Sequence, residues 1–264
     1  MSFVGFASVK GSPGVTTAVV AVGATWPEDH PLIVAEFDPA GGDLAARFGL
    51  TEEPGLMSWA AAARRSSAAK ELSRHVQELP GGVRVLVAPA GSEQAGGALR
   101  LLDARALHGI DASPEGDVLA DCGRLALSRP FHPLLAETSL LMLLVRPALP
   151  DLAHLAARVE ALRNQARDVA LVLAGPGLYP AKEVADTFGV EVLGQLPPDP
   201  QGAAFCSGAR AGSSRTAARS PLLRAARSLA DAMVQRLAAG RDREPHAAEG
   251  VGVRPTAPAL EGTR

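Results

Sequence analysis

Residues 3–17 read FVGFASVKGSPGVTT. The apolar run Phe3–Ala7 fits a strand buried on both faces, a Gly/Pro/Ser turn follows, and an apolar helix runs from about Val15 to Ala24. A strand, a glycine turn and a helix in that order are the setting of a phosphate-binding loop. Gly11 and Gly14 permit a tight turn in which successive N–H groups converge on phosphate oxygens. The start of the helix adds the positive end of its dipole. Thr16 stands where its hydroxyl meets a magnesium ion, and Thr17 where it reaches an α-phosphate. A plain Gly/Pro turn capping a helix would leave the same trace, so the rest of the chain has to decide.

Outward from this stretch, short apolar runs alternate with longer amphipathic segments. Strands are expected at Leu32–Phe37, Val83–Val87, Asp117–Asp121, Leu140–Val145, Val169–Leu173 and Val190–Leu193, seven with the first. Helices fit at about 41–48, 55–74, 93–107, 127–137, 150–165 and 181–188. Near-continuous apolar strands separated by helices predict a doubly wound α/β domain with a mostly parallel seven-stranded sheet. Ligands of such sheets bind beyond the carboxyl ends of the strands.

Acidic residues stand at two further strand ends. In LIVAEFDPAGGDLAARFGL, residues 32–50, the period of an extended chain puts Glu36 and Asp38 on one side. One can hold a magnesium-bound water and the other orient an attacking water. Asp43 reads as the cap of the next helix. In DVLADCGR, residues 117–124, Asp121 ends an apolar strand where a magnesium-coordinated water would sit, and Gly123 would let the following loop move.

Together these segments resemble the MinD/ParA family of P-loop ATPases. The family's deviant Walker A motif, K-G-G-x-G-K-T-T, stands here at residues 10–17 as KGSPGVTT. The resemblance implies that Lys10, Gly11, Ser12, Pro13, Gly14, Val15, Thr16 and Thr17 form the ATP cradle. It also implies that Lys10 reaches a phosphate across a nucleotide-sandwich dimer. Val15 replaces the second lysine, which in relatives holds the β- and γ-phosphates. Losing one charge-assisted hydrogen bond weakens binding by roughly ten- to a hundredfold, and hydrolysis suffers more, because the transferring phosphoryl group must be neutralised. Arg124 and Arg146, each just past an expected strand, are candidates to supply that charge. Residues 36–44 resemble the family's D-x-D-P-x-G-G-x-L, which makes Asp38 the catalytic aspartate, with Glu36 and Asp121 joining Thr16 around magnesium. The LPPDP stretch resembles the base-contacting loop, with Pro198 and Asp199 beside the nucleoside; Ala174 stands where the family often carries an adenine-binding asparagine. The resemblance covers about residues 2–238.

Composition narrows the class. The chain has 264 residues, 47% apolar, with a formal net charge of −2, so bulk charge does not mark a polyanion binder. Two cysteines form neither ligand spacing nor a disulfide framework. The N-terminus lacks the pattern of a signal peptide, and the longest apolar run is far too short to span a bilayer. A cytoplasmic protein without membrane association is expected. Only three of the 26 basic residues are lysine, and one of them is Lys10. Residues 220–238 fit a last helix that lays Leu222, Leu223, Ala226, Leu229, Met233 and Leu237 on the domain. Residues 240–264 read as a disordered tail behind a domain of residues 1–239. Five arginines between Arg210 and Arg227 would suit nonspecific DNA contact, although a solvated loop and helix face is the favoured reading.

The sequence therefore predicts an ATP- and Mg2+-binding switch. It would hydrolyse slowly or not at all, form a nucleotide-dependent homodimer and meet a protein partner in spatial organisation or partitioning. A pseudo-ATPase scaffold that keeps the fold without turnover is the alternative. An amidotransferase-type ligase finds no supporting Cys/His pair.

Overall fold

In a sheet buried on both faces, successive residues of each strand enter opposite layers. Strand β1 (Phe3–Ser8) sends Phe3 and Ala7 into one apolar cluster and Val4 and Phe6 into the other. Strand β2 (Leu32–Glu36) does the same with Ile33 and Ala35 against Val34. The computed structural model describes residues 2–11, 13–64, 72–107, 110, 116–125, 132–209 and 219–243.

The remaining strands are β3 (Gln77–Glu78), β4 (Arg84–Leu86), β5 (Asp117–Arg124), β6 (Leu140–Val145), β7 (Val169–Ala174) and β8 (Val192–Leu196). They form one sheet in the order β3-β4-β2-β5-β1-β6-β7-β8. All pairings are parallel except β3 with β4. The sheet thus has eight strands where seven are expected. The extra one is a two-residue polar edge strand with no apolar run to announce it.

Helices α1 (Val15–Gly23), α2 (Leu44–Phe48), α3 (Leu56–Ala63), α4 (Ser92–Leu101), α5 (Ala104–Leu107) and α6 (His132–Glu137) follow in chain order. They continue with α7 (Leu149–Ala156), α8 (Val159–Arg163), α9 (Ala181–Phe188), α10 (Pro200–Cys206) and α11 (Pro221–Arg243). Two expected helices are each split in two: 93–107 into α4 and α5, and 150–165 into α7 and α8. The expected helix over 55–74 is helical at 56–63 and a 3-10 turn at Leu72–His75, and residues 65–71 lie outside the described set.

Helices α1 and α11 cover one face. Leu222, Leu223, Ala226, Leu229, Met233 and Leu237 of α11 are all buried, as the helical period predicts. Arg219, Arg224 and Arg227 are exposed, while Arg210, Arg215 and residues 244–264 lie outside the described residues. No described helix is long and apolar enough to cross a membrane.

On the other face, Phe37 stacks on Trp59 with centroids 6.0 Å apart and meets Phe3 edge-on at 6.1 Å. Trp59 is fully buried, and this aromatic column fixes α3 above the end of β2. Trp59→Ala should lower the unfolding free energy by about 3–5 kcal/mol, read from urea midpoints. A change of only a few tenths would show that the column does not anchor α3.

Candidate functional site

Strands β2, β4 and β5 lie on one side of β1, and β6, β7 and β8 on the other. The loop after β1 therefore opens at the place where an α/β sheet forms its crevice. Gly11 has φ +66° and Gly14 φ +95°, left-handed conformations that L-residues with side chains rarely adopt. Gly14 is also the N-cap of α1, and no side chain caps the helix there. The first-turn N–H groups thus face the crevice without a side-chain acceptor from the protein. Lys10 is exposed and Val15 is buried in the apolar cluster. Ser12 lies outside the described residues.

Two carboxylates meet on β5. Between its pairings with Phe6 and Ser8, β5 runs from Asp121 to Arg124 and so carries one extra residue. Gly123 absorbs the irregularity at φ +57°, and its N–H donates to Asp121 Oδ1 at 3.0 Å. Asp38 fills the space that a side chain on residue 123 would need, since a Cβ there would lie 1.8 Å from Asp38 Oδ2. Gly123 is thus a contact requirement inside a strand, not the pivot of a loop. Asp121, expected at a strand end, stands three residues before it.

Asp121 is buried and accepts a hydrogen bond from the Thr16 hydroxyl. Burial pushes its pKa up to about 6, and the Asp38 charge adds to the shift. Asp38 is raised as well, chiefly by desolvation; the Ala40 N–H, donating at 2.8 Å, and the charge of Arg124 oppose the shift.

Glu36 is a bracket. Its Oε1 accepts from the N–H groups of Asp43 (2.6 Å) and Leu44 (2.8 Å), and its Oε2 from Ala88 N–H (2.9 Å). Burial still dominates and pushes its pKa up to about 7. It is Glu36, from seven residues upstream, that caps α2; Asp43 makes no capping hydrogen bond and pairs with Arg47 instead. Gly42 has to be glycine, because a Cβ there would lie 2.5 Å from both Glu36 Oε2 and the Ala88 carbonyl. With three donors on its two oxygens, Glu36 is arranged to join the 38–43 loop to the segment after β4.

A cavity of about 300 Å3 opens beside the loop. Pro13, Gly14, Thr17, Ala174, Pro198 and Leu222 are among the residues that line it. Asp199 also borders it, but its carboxylate is engaged elsewhere. It accepts from Gly202 N–H (3.0 Å), the Ser220 hydroxyl (2.5 Å) and Leu222 N–H (3.3 Å), which hold it below the usual carboxylate range. It caps α10 and ties it to α11.

The sequence gives no sign of Arg158, an ordinary polar position in a helical stretch. Its guanidinium Nη1 donates to the carbonyls of Val9 (3.2 Å) and Leu125 (2.9 Å). It thereby ties the residue that precedes Lys10 to the residue that follows β5. Among the described residues, no three or more His, Cys, Asp or Glu side chains converge as a metal cage.

No family model matches the chain, and a search of curated proteins finds no match. Solved structures do match in fold. A ParA family ATPase from Chlorobium tepidum has a TM-score of 0.69 at 17% identity, over 87% of this chain and 97% of that one. The septum site-determining protein MinD of Pyrococcus horikoshii, complexed with Mg-ADP, has 0.66 at 19%, over 90% and 97%. The MinC:MinD cell division complex of Aquifex aeolicus has 0.66 at 12%, over 97% and 99%. The chain thus has the MinD/ParA-type P-loop ATPase fold.

The folded protein keeps a proton on Asp121 that the unfolded chain releases, between pH 3.8 and about 6. Stability should therefore fall as pH rises through that window and stay lower above it. In nucleotide- and magnesium-free protein, Asp121→Asn should be the more stable form by on the order of 2–3 kcal/mol at neutral pH. The gap should close below about pH 4, as thermal melts across pH will show. A variant less stable at pH 8 would contradict the burial argument.

Proposed function

We propose that this chain is a nucleotide-binding switch that takes ATP with magnesium at residues 10–17 and acts in spatial organisation inside the cell. The observation that carries the reading is the meeting of three parts at one crevice. They are the uncapped, glycine-shaped start of α1, the Thr16–Asp121 hydrogen bond, and Asp38 lodged against Gly123. The residues fit the implied groups. A phosphate satisfies the open N–H groups of a helix start, and a divalent cation relieves two desolvated carboxylates.

In this reading Thr16 and Asp121 hold the magnesium side, directly or through water, and Asp38 orients the attacking water. Glu36 holds the loop that carries Asp38 in place. Bound magnesium would supply the positive charge that phosphate oxygens need. Pro13, Gly14 and Thr17 face the phosphates, and Pro198 faces the nucleoside. Slow hydrolysis follows from Val15, whose side chain is committed to the core. Two copies associate in the ATP state, with the exposed Lys10 reaching the neighbouring copy. Leu178 is 89% and Leu149 65% exposed at the same rim, which supports a protein contact there. The names of the structural neighbours, a ParA ATPase and a septum site-determining MinD, support a positioning role, and the MinC:MinD complex supports a protein partner.

One observation favours a scaffold without turnover: the helix start offers a buried valine where a charge is wanted. Calorimetric titration with ATP and ADP, each with and without magnesium, separates the two. Magnesium-dependent ATP binding is expected in the micromolar to millimolar range. Asp38→Ala should leave that binding intact and change turnover or dimer lifetime. No heat and no thermal stabilisation at millimolar ATP would overturn the switch.

A further inference from the structure

Strands β1 and β6 are paired in register through Ala7 and Leu143. Three residues farther on, each chain leaves the sheet at a basic residue, Lys10 from β1 and Arg146 from β6. The turn at Gly11 lies against Arg146, for a Cβ on Gly11 would lie 3.8 Å from Arg146 Nη1. Arg146 also lines the cavity beside Pro13, Gly14 and Thr17. Val15 at the start of α1 is buried, so the helix itself offers the cavity no side-chain charge. Arg124, the last residue of β5, acts on Asp38.

We infer that Arg146 is the side-chain cation that holds the polyphosphate of a nucleoside triphosphate in this cavity. The inference rests on the nucleotide reading above. A guanidinium suits the task. It stays charged at every relevant pH and presents a planar fork of donors to phosphate oxygens. Its place on β6 differs in consequence from a cation on α1. The phosphates would be gripped between the loops of two adjacent strands, so the segment after β6 would register their presence. That segment runs through Pro147, whose carbonyl accepts from Leu178 N–H at 3.2 Å, to Leu149. Nucleotide at Arg146 would therefore act on the two exposed leucines of the rim.

The test is calorimetric titration of the full chain with MgATP and MgADP. Arg146→Ala should weaken MgATP binding by roughly ten- to a hundredfold. Arg146→Lys should recover part of the loss, because it restores the charge without the fork. Lys182→Ala removes a positive charge at an exposed pair with Asp186, away from the cavity, and should leave affinity unchanged. The difference between wild type and Arg146→Ala should shrink as salt is raised. Wild type and Arg146→Ala binding MgATP equally well would overturn the inference and leave the nucleotide reading standing. So would a loss no larger than that of Lys182→Ala. Wild-type protein that binds no nucleotide would overturn both.

Discussion

Glu36 and Asp121 stand side by side where β2 and β5 pair, and both are buried. Two carboxyl groups desolvated at neighbouring positions are costly, and much of the crevice is organised around lowering that cost. Glu36 is met by three backbone N–H groups drawn from two loops. Asp121 is met by Thr16 from α1 and by the N–H of its own strand irregularity. The hydrogen bonds that lower the cost also set the geometry: Glu36 fixes where α2 begins, and Asp121 ties α1 to the centre of the sheet. Burial still outweighs these bonds, so both groups keep raised pKa values.

Glycine enters this arrangement for two separate reasons. Gly11 and Gly14 are required by backbone conformation, since both turns lie in the left-handed region. Gly42 and Gly123 are required by space, because Glu36 and Asp38 occupy the volume of their missing side chains. Asp38 is held against β5 by the absence of an atom on residue 123 and by a short turn onto Ala40. The same economy appears at the loop entry, where a single guanidinium, Arg158, reaches carbonyls at both flanks of the crevice. Rigid strands thus present the loops, and a few polar contacts between loops set their relative position.

Much of this was legible in order. Runs such as LLMLLV at Leu140–Val145 read as strands because a short apolar run between turn signals fits a strand buried on both faces. The glycine turn after β1, the acids after β2 and on β5, and the apolar stripe of α11 were readable for the same reason: each is local in sequence. What escaped was non-local. Gln77–Glu78 becomes a strand only because β4 offers it an edge, and two polar residues carry no period. Arg158 acts on Val9, 149 positions away. Asp43 has the composition of a cap, yet a better-placed carboxylate, Glu36, takes the donors. Asp199 has the position of a base contact, yet Ser220, just before α11, and Leu222 within it claim its oxygens.

By itself, then, the sequence determined the class of fold, the order of its strands along the chain, and the residue types offered to a phosphate and a metal. Periodicity, glycine placement and strand-terminal acids act over a few residues, and so they are written there. Tertiary structure alone decided which of those offers face the same space. It gave Glu36 three backbone donors, placed Asp38 against Gly123, buried Val15, and set Arg146 beside the glycine loop. The physical reason is that a carboxylate or guanidinium takes its role from the donors, acceptors and charges within a few ångströms. Folding draws those neighbours from strands and loops far apart in the chain.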